Sequence, residues 1–369
     1  MLPAPISTAA PSLATGRPIR WGVVATGSIA QRVVEDLALL EDAVLQAVSS
    51  RSEASAKSFA EKFGFVTAYS DVGETLGYER LLADPAVEVV YIATPHAQHY
   101  TVALAALKAG KHILCEKPLA MDAVQARELA DLAREQGLFL MEAVWTRFLP
   151  SFCRALEILR SGEIGEPRWL QADLGFVPAY DPKARIWDPA AGGGALLDLA
   201  IYPLTWALGV FGEPGSMLAS GVLTPEGVDL QNSLALSYPS GAYAQLITSI
   251  GAECPSVVTV GGSEGWLRSS APLFNPAELT IQPRSGALRT EKFEASGHGF
   301  IYELREVTRC LQAGLTQSPF MTPEESVGTM ELLDEARRQM GLRYPSDPQT
   351  PIATDHLADT PAPHTALRA

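Results

Sequence analysis

The sequence predicts an α/β chain: a doubly wound parallel sheet comes first, then an α+β domain with an open, mostly antiparallel sheet. Three observations carry this expectation. From Ile19 to Val144, short apolar runs alternate with helical segments, the rhythm of consecutive βαβ units. From Met217 to Phe293, strand-like runs follow one another through short turns, which suits antiparallel hairpins. The length of 369 residues exceeds one ordinary core, so two domains are expected. The expected boundaries are a flexible arm over 1–18, a dinucleotide-sized domain over 19–145, a second domain over 146–345 and a Pro-rich flexible tail over 346–369.

The elements follow in order. "IRWGVVAT" reads as a first strand and "SIAQRVVEDLALL" as a helix with Ile29, Val33, Leu37 and Leu40 on one face. "AVLQAVSS" is a second strand, and "EASAKSFAEKFG" a helix closed by Gly64. "VEVVYIAT" is a continuous apolar run, as a strand buried on both faces requires. "TVALAALKAG" is helical, "HILCEKP" is a strand with its exit loop, "AVQARELADLAREQG" is a helix and "LFLMEA" a strand. Beyond these, "SFCRALEILRSG" and "DLAIYPLTWALGVFG" read as helices, and "SLALSYP", "AYAQLITSI", "SVVTVGG" and "LTIQP" as strands. "YELREVTRCLQAG" and "PEESVGTMELLDEARRQMG" return to helix.

Composition excludes several classes. A net charge of −14 argues against nonspecific nucleic-acid binding and against anionic membrane surfaces. Cys115, Cys153, Cys254 and Cys310 are scattered, with no CxxC or Cys/His cluster, so no metal site or disulfide framework is expected and reduced thiols in a cytoplasmic protein fit best. No apolar run reaches the roughly 18 residues of a membrane span.

The turn after the first strand has the spacing of GxGxxG, but it reads Ala25-x-Gly27-x-x-Ala30. Gly27 lets backbone approach a pyrophosphate seated at the helix N-terminus, beside Ser28 and Ile29. Ala25 departs from the fingerprint and demands a turn that alanine can adopt. The second strand ends in "VSSRSEAS", with no acid to hold a ribose 2′-hydroxyl. Arg51 after Ser50 suits a 2′-phosphate, hence NADP, while Glu53 leaves room for NAD.

"CEKP" at 115–118 lies at the carboxyl end of a parallel strand, where open α/β sheets bind ligands. Pro118 restricts the backbone of Lys117, and a lysine facing a nicotinamide would hydrogen-bond a substrate oxygen. Asp198 and Tyr202 are four residues apart on an expected helix, hence on one face. The run Gly192-Gly193-Gly194 before them lets backbone pass close to a ligand. Trp145 and Phe148 offer an apolar wall.

With the N-terminal βαβ unit, "CEKP", "EAVWTRFLP" and "GGGALLDLAIYP", the chain resembles the Gfo/Idh/MocA oxidoreductase family from Ile19 to Tyr344. "WTRF", the tyrosine of "DLAIY" and the histidines of "TPHAQH" resemble its dimeric dihydrodiol dehydrogenase and D-xylose dehydrogenase branch. The resemblance implies that Lys117, Asp198 and Tyr202 meet around the substrate, where the lysine's charge would lower the phenol's pKa and Tyr202 would act as general base in alcohol oxidation and as acid in reverse, and that His96 and His99 lie beside nicotinamide and substrate. It also implies that Thr94, Pro95, Glu116 and Arg185 approach the cofactor. The expected activity is NADP-dependent hydride transfer to or from an aldopyranose such as D-xylose, or a trans-dihydrodiol. A non-catalytic NADP-binding sensor and a sugar oxidoreductase that retains its nucleotide are the rival readings. "SLALSYPSGAYAQLITSI" carries no Asp, Glu, Lys or Arg, so the second sheet would leave an apolar face that a homodimer, or a higher oligomer, covers.

Overall fold

The computed structural model describes residues 11–294 and 296–347. Most of the expected arm and tail, residues 1–10 and 348–369, lies outside the described residues. The first sheet comprises β1 (Ile19–Val24), β2 (Ala43–Ser50), β3 (Thr67–Ser70), β4 (Val89–Ile92), β5 (His112–Glu116) and β6 (Leu140–Ala143). All six strands are parallel, in the order β3-β2-β1-β4-β5-β6. Helices α1 (Ser28–Leu37), α2 (Glu53–Phe63), α3 (Gly77–Leu82), α4 (His96–Lys108) and α5 (Ala123–Gln136) make the crossovers. Trp21, Val23, Val90, Ile92 and Leu114 are buried in the sheet, as the apolar runs predict for strands covered on both faces.

Strand order reverses on either side of β1, which opens a crevice at the carboxyl edge. The register brings the strand ends level there. Val24 pairs with Ile92, Ile92 with Cys115, and Glu116 with Ala143. The segments that leave these strands, carrying Ala25, Thr94, Lys117 and Trp145, therefore emerge along one edge.

Beyond α6 (Pro150–Arg160) the second sheet begins with β7 (Pro167–Gly175), which the sequence reading did not identify. Then come α7 (Ala195–Leu199) and α8 (Ile201–Phe211), followed by β8 (Ser216–Leu223), β9 (Asp229–Ser237), β10 (Tyr243–Ser249), β11 (Val258–Gly262), β12 (Gly265–Ser269), β13 (Glu278–Pro283) and β14 (Arg289–Lys292). The order is β14-β13-β12-β11-β7-β10-β9-β8. Only β7 and β10 pair in parallel; the other neighbours are antiparallel. Helix α8 packs on β7 and β10, and α6 packs on β13. Trp169, Leu218, Val222, Tyr243 and Ile247 remain exposed on the strands.

The expected single helix around Asp198 is two helices, interrupted at Ala200 and bent by 41°. Pro203 falls in the first turn of α8, where a missing N–H costs nothing.

The chain then returns to the first sheet. Helix α9 (Ile301–Gln312) lies against α1 and β1, and α10 (Pro323–Met340) lies against α5, β6 and β8. The return is fastened by charge. Arg305 of α9 donates to both carboxylate oxygens of Asp42, at 2.6 and 2.9 Å, with both side chains buried. Thr15 and Leu13, assigned by composition to a loose arm, join this cluster: Arg305 bonds Thr15 Oγ1 at 2.6 Å and the Leu13 carbonyl at 2.9 Å. Burial works against the Asp42 charge, but Arg305 and the N–H of Thr15 outweigh it and hold the carboxyl well below its usual range.

A carboxyl with a depressed pKa stabilises the fold above its unfolded pKa of about 3.9, and that contribution fades as pH falls further. We expect Asp42→Asn to lower the unfolding free energy by about 3 kcal/mol, the scale of breaking a buried ion pair. The deficit should shrink as pH drops from about 5 toward 2. Urea titrations of both proteins across that range test this; equal midpoints at neutral pH would remove the anchor's role.

Candidate active site

A cavity of about 380 Å³ opens at the carboxyl edge of the first sheet, within the size range of small-molecule sites. Each wall comes from a different element. Thr94 and Pro95 follow β4, and His96 and His99 lie in the first turn of α4. Glu116 ends β5 and Lys117 follows it, joined to Pro118 by a cis peptide bond. Trp145 opens a short 3-10 turn after β6, Arg185 opens another, Asp198 sits on α7 and Tyr202 on α8. Ile29 closes the side toward α1.

Asp198 is the electrostatic centre. Lys117 Nζ lies 2.7 Å from its main-chain oxygen and 3.2 Å from Oδ1. Arg185 Nη2 donates to both carboxylate oxygens at 3.2 Å. His96 Nε2 stands 3.6 Å from Oδ1. Burial favours the neutral acid, but the Lys117 and Arg185 charges outweigh it and keep the carboxyl well below its usual range. Burial drives the His96 pKa well down against the pull of Asp198, so at neutral pH its ring is uncharged and can accept from Arg185 at 3.2 Å.

Tyr202 and Lys117 stand together on the cavity wall. The ammonium sits 4.9 Å above the centre of the phenol ring. Trp145 Nε1 donates to Tyr202 Oη at 3.3 Å. Lys117 does lower the phenol's pKa, as expected, but not enough to bring it below its ordinary value. Burial raises it, Lys117 and Trp145 pull it down, and burial prevails, leaving Tyr202 above its ordinary value. For Lys117, burial favours the neutral amine, yet Tyr202, Asp198 and Glu116 win and raise its pKa. At neutral pH both groups are therefore protonated: an ammonium and a phenol aimed at one space.

Other expectations change with the geometry. His99 is fully buried, and its ring spans the Pro118 carbonyl at 2.7 Å and the Thr94 carbonyl at 2.8 Å. Burial takes its pKa down to about 4, so the neutral ring donates to one of these and ties together the ends of β4 and β5. Phe148 is fully buried in the core and lines no part of the cavity. Around Gly192-Gly193-Gly194 the tight contacts are protein, not open space for a ligand. A Cβ on Gly193 would stand 2.7 Å from the carbonyls of Arg185 and Ile186, and one on Gly192 2.8 Å from Met121 Sδ. Sequence reasoning also missed Phe176, Phe274 and Phe300, which complete the apolar wall. Phe300 stacks on Trp145 at 4.3 Å, and Phe274 lies 5.2 Å from the Tyr202 ring. They stand alone in loops or at an element's edge, with no periodic pattern to mark them.

Ala25, Gly27, Ser28, Ser50 and Arg51 lie outside the cavity wall, at the ends of β1 and β2. Ala25 adopts φ +84°, a left-handed conformation that costs a non-glycine residue about 1 kcal/mol. Helix α1 has no side-chain cap and no acidic residue in its first turn, so its first N–H groups are free for an anion. A Cβ on Gly27 would meet nothing within 4 Å, leaving the turn open to a pyrophosphate. Thr26 Oγ1 reaches Ser50 Oγ at 3.3 Å, and Arg51 beyond it is exposed. Inside the cavity, Thr94 Oγ1 is buried without a partner among the described residues. These residues fit a nicotinamide dinucleotide.

Two family models match the chain: an oxidoreductase family with an NAD-binding Rossmann fold over residues 19–144, and a GFO/IDH/MocA C-terminal domain over residues 152–268. The chain is 37% identical to the trans-1,2-dihydrobenzene-1,2-diol dehydrogenase of Mus musculus, over 89% of this chain and 99% of that one. It is 31% identical to the D-xylose 1-dehydrogenase (NADP(+)) of Hypocrea jecorina, over 93% and 99%. A 3-ketoreductase from Actinomadura kijaniata, solved with NADP and TDP-benzene, superposes with a TM-score of 0.79 at 28% identity, over 88% of this chain and 98% of that one. Among the described residues no single helix is long and apolar enough to cross a membrane.

Proposed function

The chain belongs to the Gfo/Idh/MocA oxidoreductase family, and from that premise we propose that it is an NADP-dependent dehydrogenase of polyhydroxylated small molecules. Its substrate is an aldopyranose such as D-xylose, or a trans-dihydrodiol. The observation that carries this reading is the convergence of Lys117 and Tyr202 on one space, beside an ionised Asp198 and under an aromatic wall. The nicotinamide, when bound, accepts a hydride from a hydroxyl-bearing carbon or returns one to a carbonyl.

This chain's own residues do the rest. Trp145, Phe274 and Phe300 receive the apolar face of a ring, and Asp198 is placed to accept from a substrate hydroxyl. Lys117 and Tyr202 both donate toward the reacting oxygen. In the reductive direction Tyr202 gives its proton to that oxygen while the Lys117 ammonium steadies the developing negative charge. In the oxidative direction Tyr202 must first lose its proton, which a raised pKa defers to alkaline pH. Arg51, with Ser50 and Thr26 beside it and no acid at the end of β2, is the residue we assign to the 2′-phosphate. The uncovered face of the second sheet, with Trp169 and Tyr243 side by side on β7 and β10, is assigned to a twofold homodimer.

Following NADPH absorbance across aldoses and cyclic diols tests the activity; no turnover of any member would sink it. Tyr202→Phe removes only a hydroxyl, so the fold should persist while turnover drops roughly 100-fold or more, with Lys117→Met at least as damaging. In the wild type, oxidation should climb with pH through the alkaline range, whereas reduction is strongest where Tyr202 is protonated. A flat oxidative profile would dismiss the phenol as proton carrier.

Arg51→Ala should weaken NADP binding by about 1.5–3 kcal/mol, the scale of a charge-assisted hydrogen bond, and spare NAD. Equal losses for both cofactors would refute the assignment. Light scattering on the full chain should report a dimer, and Tyr243→Arg, which places charge on the exposed face, should shift it toward monomer. A wild-type monomer would leave the sheet face without this role.

A further inference from the structure

Five charged side chains line the cavity: Glu116 and Asp198 against Lys117, Arg185 and Arg32. Four of them are accounted for. Asp198 is paired with Lys117 and with Arg185. Glu116 accepts the Tyr91 hydroxyl at 2.6 Å and the Lys117 N–H at 3.3 Å. Arg32 has no carboxylate partner among the described residues. The carboxylates that helical spacing offers it, Glu35 and Asp36, are engaged elsewhere. Glu35 meets His298 Nε2 at 2.7 Å and Lys62 at 3.6 Å. Asp36 accepts from the N–H groups of His298 and Ile301 at 2.7 and 3.0 Å.

Arg32 is an exposed side chain on the cavity wall, with an aromatic face beside it. Its guanidinium carbon lies 5.6 Å from the centre of the Phe300 ring. Phe300 stacks on Trp145, and Trp145 donates to Tyr202. Packing on a ring face leaves the N–H fork of a guanidinium free at its edge, and that fork matches a carboxylate or phosphate. An unmatched cation on the wall of a ligand cavity, in a protein with a net charge of −14, calls for an anion carried by whatever enters.

We propose that the substrate of this site is an anionic polyol, one bearing a carboxylate or a phosphate ester away from the reacting carbon, and that Arg32 is the residue that selects it. This rests on the hydride-transfer reading above but sets an anionic sugar in place of its uncharged examples, D-xylose and a trans-dihydrodiol: the apolar wall and Asp198 hold the ring, and Arg32 reads the charged substituent. A cofactor phosphate offers the same chemistry, so the test separates the two sources.

The experiment is calorimetry on the full chain saturated with NADPH, titrated with D-glucose, D-glucuronate and D-glucose 6-phosphate. In the wild type at least one of the two anions should bind about tenfold or more tightly than glucose, the gain expected of a charge-assisted hydrogen bond. In Arg32→Gln the preference should fall to near unity, with NADPH affinity unchanged. Arg32→Lys, which keeps the charge and loses the fork, should retain part of it. Equal binding of anions and glucose, or no measurable binding of either anion, overturns the proposal. So does a preference that survives in Arg32→Gln, or an equal loss of NADPH affinity in that variant, which would assign Arg32 to the cofactor. Turnover is read separately by NADPH absorbance: a binding preference without oxidation of any sugar supports anion selection by Arg32 and rejects the dehydrogenase reading.

Discussion

The site depends on one buried negative charge. Lys117 and Arg185 both approach the cavity from elements that have no other reason to meet, and two cations brought together in a low-dielectric space repel strongly. Asp198 resolves the conflict by accepting from both. The same charge helps hold Lys117 as an ammonium. That ammonium in turn lies over the Tyr202 ring. Remove that carboxylate and the cations lose their common partner, so the cavity wall and its proton inventory change together.

Much of this was legible in the sequence because chemistry and topology coincide. Parallel strands reveal themselves as apolar runs, and whatever follows such a run lies at the ligand-binding edge. Ala25, Thr94, Lys117 and Trp145 could be placed there by counting alone. What remained illegible depends on distance and on balance. Phe274 and Phe300 join the wall from segments far along the chain. Strand β7 was passed over although buried Leu170, Ala172 and Leu174 alternate with Gln171 and Asp173, the period-two pattern of a half-buried strand. Asp198 and Tyr202 share the cavity although a break at Ala200 separates their helices, so the right grouping came from an incomplete geometric reason. No spacing rule could reveal that burial outweighs Lys117 at the Tyr202 phenol, since that is a competition between two opposed energies.

Net charge misleads in the same way. A strongly acidic chain lines its cavity with three cations and two carboxylates. The acidic surplus lies elsewhere and governs long-range behaviour, whereas recognition follows the few groups that face the ligand at short range. The three glycines before α7 carry a similar lesson: close backbone approach is real there, but the surface approached is the protein's own.

The return of the chain through α9 has a mechanical meaning. Arg305 and Asp42 fasten that helix to the first sheet, and Phe300 immediately precedes it, so Phe300 travels with the same body as Lys117. Asp198 and Tyr202 ride on helices that pack on the second sheet. The line from Lys117 to Tyr202 therefore runs from the edge of one sheet to a helix carried by the other. The 4.9 Å gap between ammonium and phenol ring is thus set by how the two sheets' helices pack on one another, and by no single element.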